Sequence, residues 1–177
     1  MSKPGRILSE NLDIAQALSR MAEELRPLLA RDPVMIGIHT GGVWVARRLH
    51  ELLNVKEPLG TLDISFYRDD FTRIGIHPEV KASELPVNID ERHVILSDDV
   101  LHTGRTIRAA LNEIFDYGRP ASITLAVLVD RNGRELPIQA DVIGHPVGLK
   151  KGEHIKLTSD APDGLGRLTL EIQEVGG

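Results

Sequence analysis

Three short apolar runs, rich in β-branched residues and set between segments of helical spacing, constrain this sequence most. They are Val34–Ile38 (VMIGI), His93–Leu96 (HVIL) and Ser122–Val129 (SITLAVLV). Each is shorter than a typical helix, and none alternates apolar with polar residues. A strand with no polar face has to be covered on both sides, which is the condition of a parallel sheet layered between helices. The helical segments supply that cover. Ser9–Ala30 places Leu12, Ala15, Leu18, Ala22, Leu25 and Leu29 on one face, with Ser9 as its N-cap and Pro33 barring continuation. Val43–Leu53 has helical spacing too, and Thr106–Tyr117 is a helix that stops at Gly118-Arg119-Pro120. Leu59–Phe66, Asp141–Gly144 and Gly166–Val175 complete the strands. The expected architecture is α/β, a mainly parallel sheet flanked by helices and joined by right-handed crossovers.

In such sheets ligands bind at the carboxyl ends of the strands. Three loops fall there: 39–42, 97–105 and 130–134. The 177 residues suit one domain spanning 1–177. Tyr67–Asn88 is long, charged and irregular, and a loop of that length in a compact domain is commonly functional. The chain has no cysteine, which excludes thiol nucleophiles and thiolate metal sites. Met1–Gly5 carries no apolar run of the secretory kind, so the expected location is the cytoplasm. A net charge of −5 and only 3% aromatic residues argue against a dedicated nucleic-acid binder.

The chemistry concentrates in Val94–Thr106, VILSDDVLHTGRT. An apolar strand runs into the adjacent carboxylates of Asp98 and Asp99, with no cation next to them in sequence. Buried anions need partners, and polyol hydroxyls or a bound metal complex would supply them. Thr103, Gly104 and Thr106 follow just before a helix. Small hydroxylated residues and a glycine let backbone N–H groups converge on a phosphate, and the helix N-terminus adds partial positive charge. Carboxylates for a ribose beside a cradle for its 5′-phosphate describe a phosphoribosyl site.

That segment resembles the phosphoribosyl-pyrophosphate (PRPP) motif of type I phosphoribosyltransferases. Ile64–Asp70 (ISFYRDD), Gly104–Ala109 (GRTIRA), Gly118–Ser122 (GRPAS) and Leu125–Pro137 (LAVLVDRNGRELP) extend the resemblance to one subfamily. Its members are pyrimidine operon attenuation regulators that double as uracil phosphoribosyltransferases, the PyrR family. The resemblance runs from about Ile7 to Gly144 and implies the type I phosphoribosyltransferase fold, with a flexible hood loop over residues 67–88.

It also implies roles. Asp98 and Asp99 hold the ribose hydroxyls, and the rest of the PRPP loop (Val100, Leu101, His102, Thr103, Gly104, Arg105, Thr106) supplies the 5′-phosphate site. Thr40, Gly41 and Gly42 form the pyrophosphate loop, although relatives often carry arginine where this chain has Gly41. Arg68 and Arg73 of the hood are candidates to replace that cation in catalysis. Val129, Asp130 and Arg131 sit where uracil docks, and Arg20, Arg119 and Arg134 are candidate RNA contacts. His102 stands where the subfamily commonly has tyrosine.

The implied reaction is uracil plus PRPP giving UMP and pyrophosphate. It needs positioning and charge stabilisation rather than a protein nucleophile, with Mg²⁺ carried by PRPP and no direct protein metal site. The implied partners are PRPP, uracil, UMP, pyrimidine-operon leader RNA and further copies of the chain, as a homodimer or higher homo-oligomer. Two alternatives stay open at this level: a PRPP- or UMP-sensing regulator with little catalysis, and a phosphoribosyltransferase for another base.

Overall fold

The computed structural model describes residues 6–7, 13–64 and 83–174. Its central layer is a five-stranded sheet in the order β3-β2-β4-β5-β6. The strands are β2 (Val34–Ile38), β3 (Gly60–Leu62), β4 (His93–Leu101), β5 (Ser122–Arg131) and β6 (Val142–Val147). Every pairing among them is parallel. The apolar runs therefore form the buried parallel sheet that their lack of a polar face demands.

Alternate residues feed the two faces. Met35 and Ile95 join a cluster with α1 (Ile14–Leu25) and α2 (Gly41–Leu53). Their neighbours Val34, Ile36, Val94 and Leu96 join a second cluster, with Ile107, Ala110 and Ile114 of α3 (Arg105–Tyr117). Fully burying each large aliphatic side chain contributes about 1.5–3 kcal/mol, so the two clusters hold the sheet between its helices.

The first helix differs from the sequence expectation. It begins at Ile14, capped by Asp13, whose Oδ1 accepts the Gln16 N–H at 3.0 Å. Ser9, the expected cap, lies outside the described residues. The buried face is Ile14, Ala17, Leu18, Met21, Ala22 and Leu25, while Ala15 is exposed. The α-helix ends at Leu25 and a 3₁₀ turn, Arg26–Arg31, takes over, because Pro27 has no N–H for the helical ladder.

Three strands run further than their apolar cores suggest. Instead of ending at Leu96, β4 continues through the acidic pair to Leu101, carried by its ladder to β5: Asp98 lies opposite Val127 and Leu101 opposite Asp130. Likewise β5 reaches Arg131 and β6 reaches Val147, which pair with each other. Asn132-Gly133 therefore makes no hairpin, since the strands on either side of it are parallel.

A second, antiparallel sheet has the order β1-β8-β7. It comprises β1 (Arg6–Ile7), β7 (Glu153–Ser159) and β8 (Leu168–Glu174). The sequence suggested a final strand near Gly166–Val175; the structure pairs it with β7, which was not expected, outside the parallel sheet. Leu157, Leu168 and Leu170 anchor this hairpin in the α1–α2 core. Among the described residues, no helix is long and apolar enough to cross a membrane.

Candidate active site

Two helix N-termini converge on the carboxyl end of β4. From one side comes α2, which starts at Gly41 directly after β2. A Cβ on Gly42 would lie 2.8 Å from the Ser97 carbonyl oxygen and 3.0 Å from Asp98 Cα, so only glycine lets the helix start against the β4 backbone. A Cβ on Gly41 would lie 2.2 Å from Asp99 Oδ2. The loop 39–42 thus rests on the acidic pair, and the positive end of α2 faces the Asp99 carboxylate. This is also why α2 begins two residues before its first apolar side chain. No side chain caps it at Thr40.

The acidic pair is held by its own backbone. Asp98 is 4% exposed, and its Oδ1 accepts the Asp99 N–H at 2.8 Å. Asp99 Oδ1 accepts the Val100 N–H at 2.8 Å. These bonds fix both carboxylates at the strand end and leave Asp99 Oδ2 directed towards Gly41. Beside them the Ser97 hydroxyl is buried with no hydrogen-bond partner among the described residues.

On the other side is the N-terminus of α3. Gly104, at φ 95°, precedes the helix in a conformation that favours glycine. Thr103 Oγ1 accepts the Arg105 N–H at 3.1 Å, and no side chain caps the helix from Gly104. The segment after β5 braces this loop. The Thr103 carbonyl accepts both the Glu135 and Leu136 N–H groups, at 2.9 and 3.0 Å. Arg134 donates to the His102 carbonyl at 2.5 Å and to Asp130 Oδ1 at 2.7 Å. Arg105 pairs with Glu135 at 3.0 Å.

Around the loop, His102 is half-buried, with Gly133 against its ring: a Cβ there would meet Nε2 at 2.8 Å. Burial, followed by the charges of Arg131 and His154, holds the His102 imidazole below the usual histidine range. Arg134 acts in the same direction and Glu135 against it.

The sequence-derived candidates are therefore brought together unevenly. Thr40, Gly41, Gly42, Asp98, Asp99, Thr103, Gly104 and Thr106 meet at one end of the sheet. Leu101 is buried in the core and offers the loop only its backbone. Val129 is likewise fully buried and Asp130 is taken by Arg134, so a base docking there would meet main chain and Arg131. Arg68 and Arg73 lie outside the described residues.

The three arginines proposed for RNA lie on different elements and loops. Arg119 and Arg134 bracket β5, whose ten residues span about 30 Å. Arg20 donates to the Gly144 carbonyl in β6 at 3.1 Å. The bracing role of Arg134 and the unpartnered Ser97 escaped sequence reasoning, because no local pattern marks a contact 32 residues away.

Known proteins resemble this chain in sequence and in fold. The phosphoribosyl transferase domain family matches residues 6–154. A "Bifunctional protein PyrR" from Nitrosococcus oceani is 64% identical over 145 residues, covering 81% of this chain and 80% of its own length. The protein of the same name from Pseudomonas paraeruginosa is 58% identical over 160 residues, covering 88% and 94%. In fold, the chain resembles the hypoxanthine phosphoribosyltransferase of Trypanosoma cruzi (TM-score 0.68, 19% identity, 98% of this chain and 92% of that one). On these matches the chain belongs to the phosphoribosyltransferase domain family with its type I fold and, within it, to the PyrR family.

Proposed function

We propose that this protein transfers the phosphoribosyl group of PRPP to uracil, giving UMP and pyrophosphate, and that it serves as a UMP-responsive regulator of pyrimidine gene expression through leader RNA. The observation that carries the catalytic half is the acidic pair lying between two helix N-termini whose N-cap residues supply no side-chain cap. In this reading the ribose hydroxyls of PRPP donate to Asp98 and Asp99. The 5′-phosphate lies against the N–H groups at the start of α3, with the Thr103 and Thr106 hydroxyls beside it. The pyrophosphate lies against the start of α2 at Thr40, Gly41 and Gly42.

Both ends of PRPP are then anchored while the anomeric carbon between them reacts. The C1–O bond to pyrophosphate breaks as uracil N1 approaches, positive charge grows on the ribose ring, and as the C1–N1 bond forms the N1 proton leaves to solvent or to the departing pyrophosphate. Holding the reactants in line, and holding the departing anion at a helix N-terminus, are the protein's contributions. Two adjacent carboxylates at the strand end, one of them only 4% exposed, would suit a Mg²⁺ that arrives on PRPP. That ion would neutralise pyrophosphate charge from its place on the substrate's own oxygens. Uracil would meet the main chain at the end of β5, Val129–Arg131, with Arg68 and Arg73 of the hood closing over the reactants.

Gly41 favours a second reading, a PRPP- or UMP-sensing regulator with weak catalysis, because it leaves the leaving-group loop without the arginine common in relatives. Turnover separates the two. Purified protein with PRPP, Mg²⁺ and labelled uracil is expected to form UMP, and Asp98→Asn with Asp99→Asn to abolish it. Binding of PRPP or UMP without product would establish the sensor instead. The regulatory half is tested by filter binding of leader RNA with and without UMP. Retention that is absent, or insensitive to salt, rejects an electrostatic RNA contact.

A further inference from the structure

The helix that begins with the pyrophosphate loop also grips the far tip of the β7–β8 hairpin. One turn into α2, Trp44 lies against Gly164, where a Cβ would sit 1.9 Å from the indole Cδ1. Gly164 has φ 75°, so both the close approach and the backbone conformation favour glycine. A turn further on, Arg47 donates to the Asp163 carbonyl at 2.7 Å. Arg48 donates to the Gly164 and Gly166 carbonyls at 2.9 and 2.7 Å. The tip loop is closed on itself, with the Asp160 N–H donating to the Arg167 carbonyl and the Arg167 N–H to Asp160 Oδ1.

The root of the same hairpin sits at the other half of the site. Arg131, the last residue of β5, donates to the Glu153 carbonyl at 3.2 Å. Glu153 Oε2 accepts the Lys150 N–H at 2.8 Å, and Asn132 exchanges two hydrogen bonds with the Leu149 backbone. Between root and tip β7 runs seven residues, about 20 Å. The hairpin is therefore a strap fastened at one end to the pyrophosphate-loop helix and at the other to the strand end where the base docks.

We propose that Trp44 and Arg48 are positioning residues for base binding: by fastening the hairpin tip to α2 they set the place of Arg131 and Asn132 at its root. The proposal rests on the reading above that the base meets Val129–Arg131. It assigns these residues an effect on the base that PRPP does not share, since the hairpin root hydrogen-bonds Arg131 and Asn132 at the end of β5 rather than the acidic pair.

The experiment compares Arg48→Met, Arg48→Lys and Gly164→Ala with the unaltered protein. Arg48→Met and, independently, Gly164→Ala are expected to raise KM for uracil about tenfold, the equivalent of about 1.4 kcal/mol, with kcat and the KM for PRPP within about twofold. Arg48→Lys keeps a donor for the two carbonyls and is expected to recover most of the loss. A second readout needs no turnover: amide exchange at Leu149 and Lys150, the hairpin root, should quicken in Arg48→Met along with that at Gly164 and Leu165, the tip. Faster exchange at the tip with an unchanged root overturns the inference, as does a fall in kcat with both KM values moving together. Failure of the unaltered protein to turn over uracil would instead overturn the proposed activity, and the exchange result would still decide the strap.

Discussion

The two phosphate-binding candidates look alike in outline and differ in how they are held. Each is a glycine-containing loop at the start of a helix, and in neither does the N-cap residue's own side chain cap the helix. The 103–106 loop is cross-braced from outside. The Thr103 carbonyl takes two N–H groups, Arg134 ties His102 to Asp130, and Arg105 pairs with Glu135. In contrast, the 39–42 loop is placed by contact, its glycines resting on Ser97, Asp98 and Asp99. In the proposed reading, the braced loop would be a preformed site for the part of PRPP that does not react. In the same reading, a loop that leans on Asp98 and Asp99 shares their fate, which would suit the end of the substrate that departs.

That difference is broken most severely at the carboxylates themselves. Asp98→Asn and Asp99→Asn together should reduce UMP formation on the order of 10³-fold or more, the scale set by losing groups that act only on the reacting centre. Circular dichroism should stay unchanged. Steady-state kinetics with labelled uracil decide it, and retention of a tenth of the activity would remove the pair from the site.

Gly42 and Gly41 sharpen the comparison within the leaning loop. Gly42→Ala meets backbone at 2.8 Å, which cannot rotate away, so α2 has to shift. A stability loss of about 1–3 kcal/mol is expected, or roughly 2–4 °C in Tm for each kcal/mol at this chain length. Gly41→Ala meets the Asp99 side chain rather than backbone, and that side chain can turn aside by giving up its bond to the Val100 N–H. Its Tm should move little while turnover falls, because the displaced group is a carboxylate that the reaction uses. Equal Tm losses in the two variants would refute the distinction between backbone and side-chain support.

The braced loop fails differently. Arg134→Met removes both of its bonds and leaves Asp130 and the His102 carbonyl without that donor. A loss of about 1–3 kcal/mol is expected, with a higher KM for PRPP. If Arg134 served RNA alone, Tm and KM would both be unmoved and only leader-RNA retention would fall.

The same contrast explains what could be read from the sequence. VMIGI, HVIL and SITLAVLV announced the parallel sheet because burial on both faces writes itself into consecutive residues. The acidic pair and the 103–106 loop were legible because strand, carboxylates, glycine and helix follow in order along the chain. Strand ends were not legible: Asp98 and Asp99 read as loop, yet their ladder to Val127 and its neighbours keeps them in β4. The glycines of α2 read as loop too, since their helical role depends on the β4 backbone beneath them. Strand β7 was missed because EHIKLTS has only two apolar side chains, Ile155 and Leu157, too short an alternation to stand out, and its partners in β8 are 9 to 21 residues away. Asp13 replaced Ser9 as the cap because either residue type can accept the N–H groups of a first turn.

The smallest effect belongs to His102, whose backbone carbonyl is part of the bracing while its ring is not. Burial first, then Arg131 and His154, lower the pKa of this imidazole in the folded chain. Above the ordinary histidine value of about 6.5 the ring is neutral in both folded and unfolded states and contributes no pH dependence. Below it the unfolded chain takes up a proton that the folded chain resists, so stability falls as pH falls, until the lowered folded value is reached. Tm measured across that acidic window should therefore drop less steeply in His102→Gln than in the unaltered protein, while the two curves run parallel above it. A variant as steep as the parent would mean that the loop relaxes to solvate the charged ring. The brace from Arg134 would then hold the loop's backbone in place without fixing the surroundings of its side chain.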